Sequence, residues 1–389
     1  MIIIHSLAGG GAERVAVDLS AYWVNRGYRV SLVTQAEAIA DAYALPQSVQ
    51  RFALGTARPS EGFVRGGCAN LFRLWALRRL IRRQRPTLVL GMMTTASVLA
   101  VIAGLHMPCR VIATEHTHPP SQKLSSSWQR LRRWAYPRAA AVVALTSGTA
   151  AWIEQYVPGS NVKVIPNAVR WPLEIEEPIK LPPDRNGRHR LLAAGRLHPI
   201  KGFDLLIRAF QSIADLFPDW DLVILGEGDS REELESQVKA AGLSGRVSMP
   251  GRVGNIGQWY VQSDLYVLSS RTEGLSNTLL EAMATGLACV AFDCETGPRE
   301  VVRHGIDGVL VRPAGDDQAL AAHLSDMMSH PKRREAYARR AVDVRDRFST
   351  MRVMALWNQI FEMGRDQPRW PRPEHEEGPR VDGQPGSGS

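Results

Sequence analysis

Short apolar runs separated by polar, glycine-marked turns set the plan of this chain. Ile2-Ile3-Ile4-His5 reads as a strand, Ala12 to about Arg26 as a helix, and Arg29 to Thr34 as a second strand after the break at Gly27-Tyr28. That is a β-α-β unit. Leu88-Val89-Leu90, Arg110 to Thr114, Ala139 to Thr146 and Val162 to Ile165 read as further strands. They are continuous apolar runs, as strands buried on both faces of a parallel sheet are. The uncharged stretch from Thr87 to Leu105 is about 19 residues, long enough to cross a bilayer. Gly91, Thr94, Thr95 and Ser97 divide it, so it is read as a strand followed by a short buried helix.

A proline-rich segment from Arg170 to Arg188 interrupts the pattern and reads as a linker. Strands then resume at Arg190 to Gly195, Leu222 to Gly226, Val247 to Met249, Asp264 to Leu268, Cys289 to Asp293 and Gly308 to Val311. Helices are expected over Gly202 to Ala214, Ser230 to Ala241, and from about Thr278 through Gly286. Asp316 to about Met363 is expected to be mostly helical. Such alternation predicts an α/β protein with two Rossmann-like doubly wound parallel-sheet domains facing across a cleft. The expected division is residues 1–170, a linker 171–188, a second domain 189–348, a closing helix 349–365, and a disordered tail 366–389 rich in Pro, Gly, Glu and Ser.

Composition adds little to the class and something to the partners. With 389 residues, 44% hydrophobic and 22% charged, the chain has material for two full cores. The four cysteines form no Cys-x-x-Cys pair and read as scattered reduced thiols. No signal peptide is expected, because the first strand begins at Ile2. Charge is uneven: residues through Arg170 hold roughly 20 Lys/Arg against 7 Asp/Glu, about +13, leaving about −5 for the rest. Such asymmetry suggests an anionic surface as partner, nucleic acid or lipid. Two basic stretches concentrate it, Arg73 to Arg85 with Trp75, and Trp128 to Arg138 with Trp134. They are either solvated helix faces or contacts with a membrane surface.

Candidate chemistry gathers at turns. After the strand ending at Leu268, a loop holds Glu273 and Gly274, and Leu275, Ser276, Asn277 and Thr278 lead into a helix carrying Glu281. Ser276, Asn277 or Thr278 can cap it, and Thr278 with Glu281 has capping-box spacing. A helix start offers free N–H groups to a phosphate, and carboxylates accept hydrogen bonds from hydroxyls. Phosphate beside polyol describes a sugar nucleotide. Arg196 and Lys201 follow a strand whose carboxyl end should border a ligand crevice. Two cations there can hold a diphosphate and offset its growing charge as a bond breaks. Gly9-Gly10-Gly11-Ala12-Glu13-Arg14 follows the first strand, but Arg14 stands where a dinucleotide fingerprint needs its third glycine. His116 and His118 would share a face on a continuing strand; with no third ligand and with Pro119-Pro120 following, no metal site is expected.

Glu273 and Glu281, eight apart and each followed by a small residue, resemble the paired-glutamate signature of the retaining glycosyltransferases of family four, which have the GT-B fold. Gly9–Arg14, Glu115-His116-Thr117, Ile165-Pro166-Asn167, and Gly195-Arg196-Leu197 with Lys201-Gly202 recur in the family's order, so the resemblance runs from Ile2 to about Phe361. It implies transfer of a sugar, with retention, from a nucleotide-sugar donor to a lipid-linked saccharide acceptor, in polysaccharide or glycan assembly. The donor is expected to be a UDP-hexose or UDP-N-acetylhexosamine. The stretch Asp293 to Glu300 resembles members that extend such chains, some with N-acetylgalactosamine. The implied catalytic residues are His116, Glu273, Arg196 and Lys201. The implied donor site comprises Gly10, Gly11, Arg196, Lys201, Gly226, Arg252, Glu273, Leu275, Ser276, Asn277, Thr278 and Glu281. Gly226 and Arg252 would line the base pocket, and Glu281 would meet the ribose. Cofactors are expected to be none, with no metal, Arg196 and Lys201 taking that role. The partner surface is then anionic membrane rather than nucleic acid, at the inner face of the cytoplasmic membrane. A non-catalytic nucleotide-binding protein or an NAD-dependent dehydrogenase on a similar fold is the alternative.

Overall fold

The computed structural model describes residues 1–56 and 63–362, with no side-chain description at 40 and 63–68. The expected tail, residues 366–389, lies outside the described residues. The first domain runs β1 (Ile2–Ile4), α1 (Gly11–Asn25), β2 (Ser31–Thr34), β3 (Gln50–Ala53), α2 (Phe63–Gln84), β4 (Leu88–Met92), α3 (Thr94–Gly104), β5 (Arg110–Glu115), α4 (Ser126–Ala135), β6 (Ala141–Ala144), α5 (Ser147–Tyr156) and β7 (Val162–Val164). Its seven strands lie parallel in the order β3-β2-β1-β4-β5-β6-β7.

The second domain begins with β8 (His189–Ala194), α6 (Phe203–Ile213), β9 (Trp220–Leu225), α7 (Arg231–Ala240), β10 (Val247–Gly251) and α8 (Ile256–Val261). It continues with β11 (Leu265–Leu268), α9 (Asn277–Ala284), β12 (Cys289–Phe292), α10 (Pro298–Val301), β13 (Val309–Val311), α11 (Asp317–Ser329), α12 (Pro331–Ala341), α13 (Val344–Arg347) and α14 (Thr350–Glu362). Its six strands are parallel in the order β10-β9-β8-β11-β12-β13. In both sheets the order reverses beside the first strand of the domain, between β1 and β4 and between β8 and β11. A crevice opens at the carboxyl ends of the strands at such a reversal.

Strand alternation divides each core between the two sheet faces. In the first domain Ile3, Val33 and Val89 join one cluster, and Ile2, Ile4, Leu32 and Leu90 join the other. In the second, Leu191, Ala193 and Leu222 face α6 and α11, while Leu192, Ala194 and Val223 pack with α9 residues Leu279, Leu280 and Met283. α14 packs on the first domain: Val353, Met354, Trp357 and Ile360 join Leu19 and Trp23, and the Trp23 and Trp357 rings meet edge-on at 6.0 Å. Arg110 donates to the carbonyls of Ile360 and Phe361 at 2.8 and 3.0 Å, capping the end of that helix. The chain thus crosses back over the cleft.

Candidate active site

The glutamate loop sits at the β8/β11 reversal. Ser276, not Thr278, caps α9: its Oγ accepts from the Leu279 N–H at 3.4 Å. The capping-box pairing of Thr278 with Glu281 does not form, because both are claimed from behind by buried tyrosines. Tyr266 donates to Thr278 Oγ1 at 2.8 Å, and the one hydroxyl hydrogen of Tyr260 is shared between the Thr278 carbonyl at 3.2 Å and Glu281 Oε2 at 3.4 Å. Glu281 is therefore held away from its own helix start. Burial raises its carboxyl to about 7, against the opposing pull of Arg170 and Arg14.

Glu273 is buried, and its Oε1 accepts from Lys201 Nζ and Ser270 Oγ, each at 2.6 Å. Lys201 ends a short 3-10 turn after β8, and the left-handed Gly202 (φ 62°) follows it and leads into α6. A side chain at Gly202 would run into the Ser269 carbonyl, so glycine is required where the two loops meet. Arg196 is exposed and reaches the first domain's glycine loop, its guanidinium beside Gly10. Gly11 faces the Asn277 amide, and the Asn277 Oδ1 accepts from Asn167 Nδ2 at 2.8 Å. Both domains thus meet at the start of α9.

Gly226 follows β9 and lies against the β8 loop, where a side chain would strike the Gly195 carbonyl, and Gly251, the last residue of β10, faces Glu227. Arg252 does more than line a pocket in the second domain. It donates to the Ala42 carbonyl of the first domain at 3.2 Å and lies 5.7 Å from the Tyr43 ring centre, with Arg14 at 4.8 Å from the same ring. Tyr43 in turn donates to the Gly10 carbonyl at 3.3 Å. Tyr43, Tyr260, Tyr266, Ser270 and the Arg14–Glu176 ion pair escaped the sequence reading. Arg14 alone carried a signal, as the last residue of the glycine motif.

β5 brings Glu115 and His116 to opposite sides. Glu115 is fully buried, accepting from Tyr136 (2.5 Å), Thr94 (2.8 Å) and Gln122 (3.0 Å), with Arg132 at 3.7 Å. Burial raises its carboxyl, and those hydrogen bonds and the Arg132 charge oppose the rise. The His116 ring contacts Thr114 Oγ1 at 2.9 Å, and burial pushes it down to about 4, so it is neutral at physiological pH. Its carbonyl meets the other domain: a side chain at Gly274 would overlap the His116 oxygen. The two histidines do not converge, since His118 pairs with Glu295 at 3.2 Å. Among the described residues no three His, Cys, Asp or Glu side chains gather as ligands for a metal. An Asp-x-Asp triplet, Asp219-Trp220-Asp221, begins at the start of β9, the end remote from the crevice, where Asp221 is paired with Arg188 and Arg246.

One expectation about the basic helices needs correction. Arg132 is buried, stacks on Trp152 at 4.8 Å and faces Glu115, so it is no part of a lipid-facing surface. Arg130 and Arg133 on α4, Arg138 in the 3-10 turn after it, and Arg79, Arg82 and Arg83 on α2 are exposed. Among the described residues no helix is long and apolar enough to cross a membrane.

Two doubly wound sheets with paired glutamates and two cations at the crevice define a GT-B glycosyltransferase. The chain belongs to family four of that class: the family model described as Glycosyltransferase Family 4 matches residues 9–170, and that described as Glycosyl transferases group 1 matches residues 176–343. It is 31% identical over 280 residues to the exopolysaccharide phosphotransferase SCO2592 of Streptomyces coelicolor, covering 71% of this chain but 29% of that protein. It is 25% identical over 360 residues to the GalNAc-alpha-(1->4)-GalNAc-alpha-(1->3)-diNAcBac-PP-undecaprenol alpha-1,4-N-acetyl-D-galactosaminyltransferase of Campylobacter jejuni, covering 92% of this chain and 97% of that one. The fold superposes on HepE of Anabaena, solved with UDP and glucose, with a TM-score of 0.75 at 21% identity, over 93% of this chain and 97% of that one.

Proposed function

We propose that this glycosyltransferase moves a hexose or N-acetylhexosamine from a uridine-diphosphate donor to a lipid-linked saccharide, with retention. The observation that carries the reading is the Lys201–Glu273 pair at 2.6 Å, set beside the start of α9 at the sheet reversal. A donor diphosphate lies along the α9 N-terminus with Arg196 and Lys201 on its oxygens, and Glu281 accepts the ribose hydroxyls. Glu273, oriented by Lys201 and Ser270, faces the anomeric carbon and offsets its positive charge. The leaving phosphate takes the acceptor proton on the face it vacates, so the new bond forms on that same face. Neutral His116 stands at the acceptor side. Arg196 and Lys201 neutralise the departing diphosphate without a metal, so transfer persists in a chelator. The uridine donor is supported by the UDP in the HepE structure, and the lipid-linked acceptor by the PP-undecaprenol in the Campylobacter enzyme's name.

The acceptor's carrier stays in the bilayer, so the first domain must approach it. α2 exposes Leu71, Phe72 and Trp75 next to Arg79, Arg82 and Arg83. α4 exposes Leu131 and Trp134 next to Arg130, Arg133 and Arg138. Arg79 lies 5.3 Å from the Trp75 ring centre and Arg138 lies 4.2 Å from that of Trp134. Apolar rings beside cations suit an anionic lipid interface.

The test is transfer from labelled UDP-sugars to lipid-linked saccharides in EDTA. Wild type should transfer and Glu273→Gln should not. Failure of every UDP-sugar to raise the melting temperature, or full turnover by Glu273→Gln, overturns the reading.

A further inference from the structure

Behind His116 lies a cavity of about 30 Å³, room for a water molecule or two. Val15, Leu19, Val143, Leu145 and α14 residues supply its apolar wall. Two buried polar atoms on its lining residues lack a hydrogen-bond partner, His116 Nδ1 and Asn167 Oδ1. Asn167 as a whole is only 5% exposed. Such orphan atoms are rare in folded proteins, and each calls for a partner.

Their chemistry can be read from the neighbours. The Gly91 carbonyl lies within reach of both Ser97 Oγ at 2.8 Å and Thr114 Oγ1 at 3.1 Å; with the Thr114 hydroxyl hydrogen placed there, Thr114 accepts from His116 Nε2 at 2.9 Å. In that arrangement the one N–H of the neutral imidazole sits on Nε2. Nδ1 is left as a bare lone pair. Asn167 uses its Nδ2 on Asn277, leaving Oδ1, also an acceptor. Asp18, also on the wall, is an acceptor already flanked by Arg14 and Arg170 at 3.7 and 3.9 Å. A guest must donate hydrogen bonds, and water can donate one to Nδ1 and one to Oδ1.

We propose that Asn167 is a positioning residue for His116: tied to the first residue of α9 through Asn277, it shares a donating water with Nδ1 and so holds the imidazole proton on Nε2. A donor nucleotide that orders α9 then also orders the His116 ring, across the domain boundary and without touching it. The link to catalysis rests on the proposed role of His116; the link between Asn167 and the tautomer does not.

The experiment reads the two separately. With ring-15N histidine, the His116 signals are assigned by their loss in His116→Gln. The wild type should show a protonated Nε2 and an unprotonated Nδ1. Asn167→Ala should mix the two tautomers, and kcat should fall about tenfold, the weight of one hydrogen bond, with the donor KM within about twofold. A wild-type proton on Nδ1 overturns the proposal, as does a His116 spectrum unchanged in Asn167→Ala, or a donor KM that rises while kcat holds. A mixed tautomer with unchanged kcat supports the coupling and removes His116 from the reaction, which is a failure of the proposed function instead. Should Asn167→Ala not fold, Asn167→Ser takes its place, and the wild-type tautomer still decides.

Discussion

Burial lifts the Glu281 carboxyl from an ordinary carboxylate value to about 7, and a ribose would ask that same group to accept two hydrogen bonds. The ionised form accepts them better. Donor affinity should therefore climb with pH, up to about tenfold per unit below 7, and level off above it. Calorimetric titration of UDP at pH 6, 7 and 8 checks this, and Glu281→Gln should flatten the profile. Stability runs the other way. A carboxyl raised on folding binds its proton more tightly in the native state, so its contribution is full below about 4.5 and is lost as pH rises through about 7. Glu281→Gln should thus gain stability relative to wild type at pH 8 and not at pH 4. An affinity independent of pH in the wild type would show that Glu281 is already ionised, or does not touch the donor.

Helices carry the next level, and Arg132 separates two roles within one of them. Replacing Arg79, Arg82, Arg83, Arg130 and Arg133 with Gln should reduce binding to anionic vesicles and leave melting temperature and UDP binding unchanged. Each cation near such a surface is worth about 1 kcal/mol, and high salt should mimic the loss. Arg132→Gln should do the opposite, sparing vesicle binding and costing about 3 kcal/mol of stability, because Glu115 is left buried without its cation. Equal vesicle binding by the fivefold variant would make these faces merely solvated. The i, i+3 spacing of Trp128, Leu131 and Trp134 announces an amphipathic helix, but it cannot say that Arg132 turns inward, since its partner Glu115 comes from another element. The same limit explains β3, a half-exposed edge strand with Phe52 as its clearest apolar signal, and α8, too short for a period to register. The parallel strands, the glycine turns and the paired glutamates were legible because each is local. Tyr260 and Tyr266 behind α9, and Tyr43 against Arg252, were not, because they exist only once distant segments are packed.

At the scale of the molecule the cleft is bridged by small polar contacts. Ser121 meets Thr272 at 2.7 Å, the Ser147 N–H meets Glu300 at 3.0 Å, His118 meets Glu295 at 3.2 Å and Asn167 meets Asn277 at 2.8 Å. Leu145 and Val169 of the first domain also pack into the second domain's apolar cluster, so the interface is mixed and small beside the clusters on the two faces of each sheet. Gly274 is the tightest point, its α-carbon set against the His116 carbonyl. Gly274→Ala requires no unusual backbone angle of the new residue, so each domain keeps its core. The methyl group must instead push the glutamate loop off β5. A displacement near 1 Å at the reacting centre costs about a hundredfold in rate. Gly274→Ala should therefore lose about that much kcat while its melting temperature stays near the wild-type value, and small-angle scattering with UDP bound should report a wider particle. Wild-type turnover in Gly274→Ala would mean that the close approach of Glu273 to the first domain is incidental to transfer, and that the chemistry tolerates a looser cleft.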